Sequence, residues 1–536
     1  MGVRAMAVRI GLLLVMGIIA CDHDATAPQA TVAEALAIGT SRHVELVGHE
    51  PLFGRGMNAA LTIFRHFVYV GNRTDGSSHC GVGDPRIDPN DPTSVDRCAH
   101  PHAGVLVVDA RNPRHPTVVG EIGPPLEGNV GITSRELRVW PHEKLLMIMN
   151  FRCSSQLHAC PPGTDAQFPF DIKFYDLHDP VHPRFLSSYV PTSAAGVPVK
   201  PHEMFLWTDP RDHDRALLFL STPSVSVDPA LPNLMVVDLS KVARGGAVTE
   251  VAEGNWNDRY AGAADPANYD FNLFVHSMSV SDDGSRTLLA MEAGHFLVLD
   301  TSPVAARTIP GHVQSLNDKL ITDPADRPTW GNPPPCKNEC ANGHSAVKIP
   351  GRSLALTTDE VYGTFTDPSF GCPWGWMRLI DIADERHPKI VGEYKIAEDL
   401  RSFCGSPGDD AATEQFTSFS SHNPTVLPHL ALIAWHSGGL QIIDTHDATR
   451  PEQAGFFTPA PLATVANEDP ALSRGPNKVV FWSYPIVRDG LVYVIDIRNG
   501  LFILRYSGPR ADEVADTHFL EGNSSLGHAG EHDEDE

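Results

Sequence analysis

The sequence predicts an all-β protein made of repeated four-stranded units, and two observations carry that prediction. The 536 residues include 45 prolines and 44 glycines, which suit short strands and frequent turns rather than long helices. A second pattern, an alternating apolar strand that ends in Asp, then a Pro-rich turn and another strand, recurs along the chain. Clear copies occupy residues 104–122, 171–189, 376–394 and 439–457, and weaker copies occupy residues 233–251 and 295–311.

Each copy follows a further pair of predicted strands, as at residues 61–70, 136–150 and 204–221. Units of four strands that recur roughly every 45 to 80 residues are typical of β-propeller blades. The Asp that ends the third strand of each unit is predicted to cap the following turn through its side chain. The structural residues of this kind are Asp109, Asp176, Asp238, Asp300, Asp381 and Asp444.

The third strand of each unit resembles the repeat that gives the LVIVD-repeat family its name. The copies read LVVD, FYD, MVVD, LVLD, RLID and QIID. The resemblance covers residues 42–508 and implies a β-propeller. It implies little about activity, because a fold does not determine a function.

Counting the units predicts a seven-bladed β-propeller. The seventh unit, residues 479–508, supplies three strands and then ends. The missing strand is predicted at residues 43–52, so that an N-terminal strand completes the last blade and closes the ring, which removes exposed sheet edges. Residues 22–41 then form a flexible tether, and residues 509–536 are predicted to be a disordered acidic tail.

The N-terminus predicts export and lipid anchoring. Residues 1–21 combine positive charges with a short apolar stretch, and residues 18–21 resemble a bacterial lipobox in which Cys21 is lipidated. The alternative is a plain secretory signal. The expected location is the bacterial cell envelope, on either its periplasmic or its outer face, with the membrane as a partner. A formal net charge of −25 argues against nucleic-acid binding.

The other eight cysteines are an even number, as expected of disulfides in an exported chain. Their close spacing proposes the pairs Cys80–Cys98 and Cys153–Cys160. The pairing of the remaining four is left open, and a zinc site at the first two of them is less favoured in an oxidising compartment. These four are Cys336, Cys340, Cys372 and Cys404.

Four consecutive units carry histidine at the same position of the first strand. The residues are His202, His276, His344 and His422, while the other units place Asn58, Arg135 and Trp482 there. First strands line the channel of a propeller, so equivalent residues form a ring about its axis. The second strands end on the same face, at Asn72, Thr222, Glu292, either Asp359 or Glu360, His436 and Asp496.

This ring predicts a metal site. His202, His276, His344, His422 and His436 are the candidate ligands, and imidazole suits one transition metal such as Cu or Zn. Glu203 and Glu292 are candidates to orient the imidazoles or to act as acid or base. The arrangement loosely resembles the selenium-binding protein family of methanethiol oxidases. The alternative is that these histidines are structural hydrogen-bonding residues.

Two classes of function follow, and the catalytic residues remain unassigned in both. The first is a monomeric binding scaffold for a protein or glycan. The second is a metal-dependent enzyme, either a copper-type oxidoreductase or a hydrolase. The sequence contains no G-x-S-x-G, phosphate-binding loop, haem motif or H-E-x-x-H.

Overall fold

The structure is a computed structural model that describes residues 39–527, apart from residues 75, 82–83, 124–131, 153–169, 223–227, 229, 257–274, 292–294, 309–312, 318–342, 362–371, 373, 410–417, 470–471 and 474–477. Within these ranges the chain is nearly all β. The first strands are β1 (Thr40–Arg42), β2 (Val44–Glu50), β3 (Asn58–Phe64), β4 (Phe67–Asn72), β5 (Val105–Asp109), β6 (Thr117–Ile122), β7 (Ile132–Trp140), β8 (Leu145–Arg152), β9 (Asp171–Asp176) and β10 (Arg184–Tyr189).

The middle of the chain continues the same pattern. Its strands are β11 (Met204–Asp209), β12 (Asp212–Ser221), β13 (Leu234–Asp238), β14 (Thr249–Gly254), β15 (Val275–Val280), β16 (Arg286–Met291), β17 (His295–Asp300), β18 (Gln314–Ser315), β19 (Gly343–Lys348), β20 (Leu354–Asp359), β21 (Met377–Asp381) and β22 (Lys389–Tyr394). The last strands are β23 (Pro424–Val426), β24 (Leu430–Ala434), β25 (Leu440–Asp444), β26 (Glu452–Thr458), β27 (Ile486–Arg488), β28 (Leu491–Asp496), β29 (Gly500–Tyr506) and β30 (Phe519–Glu521).

Helix is confined to short segments. The α-helices among the described residues are α1 (Ser302–Ala305) and α2 (Ala511–Ala515), and the 3₁₀ turns are Leu52–Gly54, Pro92–Asp96, Val242–Arg244 and Ala397–Asp399. In the part of the chain that the structure describes, no helix is long and apolar enough to cross a membrane.

The strands form antiparallel sheets in which neighbours in sequence are neighbours in space. Strands β11 to β14, β15 to β18 and β19 to β22 each form a four-stranded meander. Strands β3 to β6 and β7 to β10 form two more, which share one sheet through the single pairing of Asn72 with Ser134. The first strands β3, β7, β11, β15, β19 and β23 also contact one another in succession. The architecture is therefore β-propeller-like, as the repeat predicts.

Burial explains the sequence pattern of each unit. The third strand β5 is buried at every position except its final Asp109, whereas the fourth strand β6 alternates between exposed and half-buried residues. A strand that is covered on both faces reads as a continuous apolar run, and an outer strand alternates. The predicted Asp caps are confirmed, because each side chain accepts a hydrogen bond from the backbone N–H two residues further on, over 2.8–3.0 Å.

In several units a glycine of the outer strand allows a close approach to the next unit. Gly392 of β22 lies against the turn of the following unit, where an added Cβ would overlap the carbonyl oxygen of Ala448. Gly48 of β2 makes the same approach to the carbonyl oxygen of Pro113, in the first unit. The recurring V-G-E sequence of the fourth strand therefore records close packing between units.

Both ends of the described chain add strands to existing sheets. As predicted for residues 43–52, β2 pairs with β29, through register partners from Val44 with Tyr506 to Glu50 with Leu501. Strand β1 pairs with β26, so strand structure already begins at Thr40, inside the predicted tether.

The prediction of disorder throughout residues 509–536 is wrong for residues 509–527. These residues form α2 and β30, and β30 pairs with β27. The acidic composition of the segment suggested disorder, but its apolar side chains Val514, Leu520 and Leu526 are all buried. Residues 528–536 lie outside the described residues, as do residues 1–38 with Cys21.

The structure also differs in detail from the prediction for one of the weaker copies of the repeat. In the weak copy at residues 295–311, helix α1 follows Asp300, and the short fourth strand β18 comes after the predicted segment. In this turn Asp300 accepts hydrogen bonds from both the backbone N–H and the hydroxyl of Ser302.

Two disulfides are present among the described residues. Cys80–Cys98 confirms the pairing proposed from spacing. Cys372–Cys404 joins two of the four cysteines whose pairing the sequence left open. The predicted pair Cys153–Cys160, together with Cys336 and Cys340, lies outside the described residues.

Candidate metal centre

The histidines predicted to lie in register converge at the start of successive first strands. His202 lies two residues before β11, His276 lies in β15, His344 lies in β19, and His422 lies two residues before β23. His436 follows β24 and forms an isolated bridge with Phe481. All are buried except His202, which is half-buried. The convergence follows from the side-by-side packing of the first strands.

The five imidazoles form one continuous group. Ring centroids are 4.3 Å apart for His202 and His276, 4.0 Å for His276 and His344, and 3.8 Å for His344 and His422. The rings of His422 and His436 are 5.0 Å apart. The Nε2 atoms of His202 and His276 are separated by 3.0 Å. We call these five residues, together with Glu203 and Glu360, the histidine cluster.

Glu360 lies immediately after β20 and faces four of the histidines. Its Oε1 lies 3.1 Å from His422 Nε2 and 3.4 Å from His436 Nε2. Its Oε2 lies 3.6 Å from His344 Nε2 and 3.8 Å from His276 Nε2. The sequence left Asp359 and Glu360 as alternatives for this position. The structure selects Glu360 and adds it to the candidate ligands.

Asp359 points elsewhere, because successive side chains of a strand lie on opposite faces. Its carboxylate accepts a hydrogen bond from the guanidinium of Arg378, a buried residue of β21.

Glu203 also lies against the histidines, as the sequence predicts for a carboxylate that supports them. Its Oε1 is 3.9 Å from His276 Nδ1 and 3.9 Å from His344 Nε2. Its Oε2 accepts a hydrogen bond of 3.2 Å from the hydroxyl of Tyr484. The second predicted carboxylate, Glu292, lies outside the described residues.

Hydrogen bonds on the far side of three rings fix which nitrogen carries the proton. His422 Nδ1 lies 2.6 Å from the carbonyl oxygen of Trp482, which can only accept, so Nδ1 is the donor. His436 Nδ1 lies 2.9 Å from the hydroxyl of Ser418, which donates its own proton to the carbonyl of Val361. The serine therefore accepts from His436 Nδ1.

The same logic applies to His344. Its Nδ1 lies 2.9 Å from the hydroxyl of Ser345, and that hydroxyl donates to the side-chain oxygen of Asn423. In the neutral form of all three rings, Nε2 therefore carries the lone pair. Each of these lone pairs faces Glu360, whose oxygens are themselves acceptors. Lone pairs and carboxylate oxygens that face one another repel, and a cation between them would bind both.

Burial keeps most of these imidazoles neutral. It lowers the pKa of His276 and of His436 to about 4, and it places the pKa values of His202 and His344 well below the usual range. Burial pushes the pKa of Glu360 upward, but a proton on His422 or His344 outweighs burial and holds that pKa well below its usual range, so Glu360 is ionised whenever one of these rings is charged. A neutral imidazole and an ionised carboxylate are the forms that bind metals.

The carboxyl groups of Glu203 and Glu360 differ in the protonation state that their surroundings favour. Burial raises the pKa of Glu203 well above its usual range, and the nearby Glu136 carboxylate raises it further. Glu136 in turn forms an ion pair of 3.1 Å with the buried Arg138.

Trp482 packs against the cluster from the seventh unit. Its ring centroid lies 4.0 Å from that of His422, and it is stacked on His436 at 5.3 Å and 1°. The guanidinium of Arg73 covers Trp482 at 4.1 Å and pairs with Asp469 at 3.4 Å. The sequence placed Trp482 at the position equivalent to the histidines, and the structure gives it a packing role.

Several groups of side chains in the described residues could hold a metal ion. Two lie within the histidine cluster: Glu203, His276 and His344, and His344, Glu360 and His422, with the ligand atoms of each group within 4.8 Å of one another. A third, exposed group comprises His142, Glu143 and Asp214, but Arg244 already pairs with both of its carboxylates.

Comparison with known proteins gives little further information. No protein-family model matches this chain, and no curated protein matches it. A solved protein from Lactobacillus plantarum is 12% identical, with 63% of this chain and 70% of that chain covered and a TM-score of 0.35. A chain from a structure described as the Mitotic Checkpoint Complex is 8% identical, with 92% and 100% covered and a TM-score of 0.40. Both scores are below 0.5, so neither likeness carries an argument about function.

Proposed function

We propose that this protein is an envelope-anchored β-propeller that binds a transition metal through the histidine cluster. The observation that carries the proposal is the orientation of His344, His422 and His436. Oxygen atoms accept from Nδ1 of each ring, and the Nε2 atoms lie 3.1–3.6 Å from the oxygens of Glu360. Outer hydrogen bonds that fix a tautomer in this way are typical of metal-binding histidines.

The donor atoms favour a particular class of ion. Imidazole nitrogens with carboxylate oxygens suit Zn, Cu, Fe or Ni, and the absence of thiolate and carbonyl donors from the cluster makes it a poor match for Cu(I) or Ca²⁺. Cu and Zn, which the sequence predicts, belong to the favoured class.

We extend the proposal to the whole molecule as a seven-bladed propeller of LVIVD-type repeats. Strand β2 would complete the last blade, and the approach of Gly48 to Pro113 supports closure of the ring. Residues 1–21 would direct export, and lipidated Cys21 would hold the propeller at the membrane of the cell envelope. A protein or glycan recognised by the exposed face would then meet the metal-binding propeller at that surface.

The experiment is a metal analysis of the chain from Asp22 to Glu536, which lacks the lipidated cysteine. We expect stoichiometric bound metal in the wild type and a clearly lower metal content in the His202→Ala/His276→Ala/His344→Ala variant. The matched control is His182→Ala/His387→Ala, because these exposed histidines pair with Asp179 and Asp384 in their own turns. Absence of bound metal from the wild type after reconstitution with Zn²⁺, Cu²⁺, Fe²⁺ and Ni²⁺ would refute the proposal.

Tyr484 favours a second candidate, a metal-dependent oxidoreductase or hydrolase. Its hydroxyl donates to Glu203, which also lies 3.9 Å from two of the imidazoles. A phenol and a carboxylate beside a metal can relay a proton, and His202 is the half-buried member through which a substrate would approach. Turnover of esters, phosphoesters, thiols or phenols by the metal-loaded protein, reduced at least tenfold by Tyr484→Phe, would support this candidate. Equal rates in both proteins would contradict the role of Tyr484.

A further inference from the structure

We infer that the histidine cluster holds two metal ions, bridged by the carboxylate of Glu360. The inference rests on the proposed function, because it requires that the cluster binds metal at all. It goes further by assigning the number of ions and the bridging ligand.

The first argument is the number of donors. Five imidazoles and two carboxylates converge, whereas a zinc ion takes four ligands in most protein sites and other first-row ions take up to six. The donors also divide into two overlapping triads, Glu203 with His276 and His344, and Glu360 with His344 and His422. Both triads use the single lone pair of His344 Nε2, so His344 can bind only one of the two ions. Two neighbouring ions can be bound by more of these seven donor residues than a single ion can.

The second argument is the orientation of Glu360. Its Oε1 faces His422 and His436, at 3.1 and 3.4 Å. Its Oε2 faces His344 and His276, at 3.6 and 3.8 Å. A carboxylate whose two oxygens face separate pairs of ligands is placed to bind one ion through each oxygen. Ions in two-metal sites are typically about 3.5–4 Å apart, a spacing that one carboxylate can bridge.

The third argument is the spacing of the outer imidazoles. His202 Nε2 and His276 Nε2 are 3.0 Å apart, close to the separation of two nitrogens bound to one ion at about 2.0–2.1 Å. One ion would therefore take His202, His276 and Glu360 Oε2. The other would take His422, His436 and Glu360 Oε1, with His344 between them.

The surrounding charges are compatible with two dications. Two buried guanidinium groups in the surrounding units are already paired, Arg138 with Glu136 at 3.1 Å and Arg73 with Asp469 at 3.4 Å, and Arg135 adds a positive charge that acts on His202 and His276. Glu360 supplies negative charge 3.6 Å from His344 Nε2, and Glu203 lies 3.9 Å from the same nitrogen. Pairing of this kind is what a buried cation requires.

The test loads the chain from Asp22 to Glu536 with Cu²⁺ and compares total copper with the copper counted by electron paramagnetic resonance. We expect two ions per chain and a spin count well below the copper count, because bridged Cu²⁺ ions couple magnetically. The half-site variants His202→Gln/His276→Gln and His422→Gln/His436→Gln should each retain one ion with a full spin count. Glu360→Gln should lower the metal content or uncouple the ions.

The control is Glu521→Gln, which alters a buried carboxylate of β30 outside the donor set. It should keep two coupled ions. Because a double variant can fail to fold, the single variant His436→Gln provides a second measurement, with an expected shift from two tightly bound ions to one.

The outcomes separate the inference from the proposed function. One ion per chain at saturation, with a full spin count, would overturn the two-metal assignment and leave metal binding intact. No bound ion would overturn both. Two ions with the same coupling in Glu360→Gln as in the wild type would overturn the bridging role of Glu360.

Discussion

At the scale of single residues, two adjacent carboxylates at the end of β20 have different roles. Asp359 and Glu360 are adjacent buried carboxylates, yet Asp359 pairs with Arg378 while Glu360 faces the histidines. The alternation of a strand places them on opposite sides. One carboxylate stabilises the fold, and the other belongs to the candidate metal centre.

Asp359→Asn should therefore destabilise the protein without removing the metal. The change removes one of the two carboxylates that pair with the buried guanidinium of Arg378 and leaves Glu393 at 3.4 Å, so the cost should lie below the about 3–5 kcal/mol of a fully broken buried pair. Urea unfolding should show this loss, while metal content per folded chain stays at the wild-type value. A fall in metal content equal to that of Glu360→Gln would contradict the division of roles.

The stability of the metal-free protein should depend on pH through His436. Its pKa in the folded state is about 4, below the usual value of about 6.5, and His422, Glu360 and Arg73 are the charged or titratable groups that act on it. The unfolded chain therefore binds the proton more tightly. The contribution of His436 to stability is complete above about pH 6.5 and is lost as the pH falls towards 4.

The measurement is urea unfolding of the metal-free wild type and of His436→Gln between pH 7 and pH 4. Buried carboxyls with raised pKa values, such as Glu203, change stability in the opposite direction and are common to both proteins. The difference between the two curves therefore isolates His436. We expect the wild type to lose more stability on acidification than the variant, and parallel curves would contradict the burial of a neutral imidazole.

The sequence could predict the histidines, because they recur at one position of a repeat. It could not decide between Asp359 and Glu360, because a shift of one residue at the end of a strand reverses the face. Nor could it predict the hydrogen bonds that His436 and His344 donate to Ser418 and Ser345 and that orient the rings, since they depend on the path of the chain between strands.

At the scale of secondary-structure elements, the outer strands of several units pack against the next unit at a glycine. Gly392 and Gly48 both lie where a Cβ would meet a backbone carbonyl of the adjacent unit. A backbone carbonyl cannot move aside as a flexible side chain can. Substitution at these positions therefore forces neighbouring units apart.

Gly392→Ala should destabilise the protein by about 1–3 kcal/mol, the usual cost of overpacking. The control is Gly123→Ala, at a position where an added Cβ meets nothing within 4 Å. Thermal unfolding of both variants would measure the effect. Equal melting temperatures would show that the contact between units is looser than the structure indicates.

The C-terminal strand β30 was not predicted, because its segment is acidic and polar in composition. Residues after β30 run along β11, where the backbone N–H of Leu206 donates to the carbonyl of Asn523 and the N–H of Ser525 donates to that of Leu206. The carbonyl of Asn523 also accepts from Arg138. Disorder was predicted there because acidic and polar residues outnumber the few apolar side chains that anchor the segment.

Deletion of residues 509–536 should therefore destabilise the fold by roughly 5 kcal/mol, since it removes three buried aliphatic side chains. Deletion of residues 528–536 alone is the control and should leave the melting temperature unchanged. If the longer deletion leaves the stability unchanged, the pairing of β30 with β27 is contradicted.

At the scale of the whole molecule, the repeat predicted the class of fold because each unit must bury its sheets against its neighbours. The ligands of the histidine cluster come from sheets that span residues 202–436. Metal binding should therefore couple distant parts of the chain in a single unfolding transition.

Bound metal should raise the free energy of unfolding of the entire chain. A metal concentration one hundred times the dissociation constant adds about 2.7 kcal/mol if the unfolded chain does not bind it. Calorimetry with and without Zn²⁺ would detect the higher melting temperature, and the rise should be smaller in the His202→Ala/His276→Ala/His344→Ala variant. An unchanged wild-type melting temperature at saturating Zn²⁺ would contradict binding by the folded state.

The pairing of β2 with β29 has a consequence for the newly made chain. Strand β2 is synthesised near the start and its partner some 450 residues later. During that interval both edges of a seven-residue strand have no partner in its sheet. Such an edge can pair with another copy of the chain. A chaperone that binds this edge until β29 has been synthesised would prevent such pairing between chains. Loss of that chaperone should lower the yield of folded protein without lowering the melting temperature of the protein that does fold.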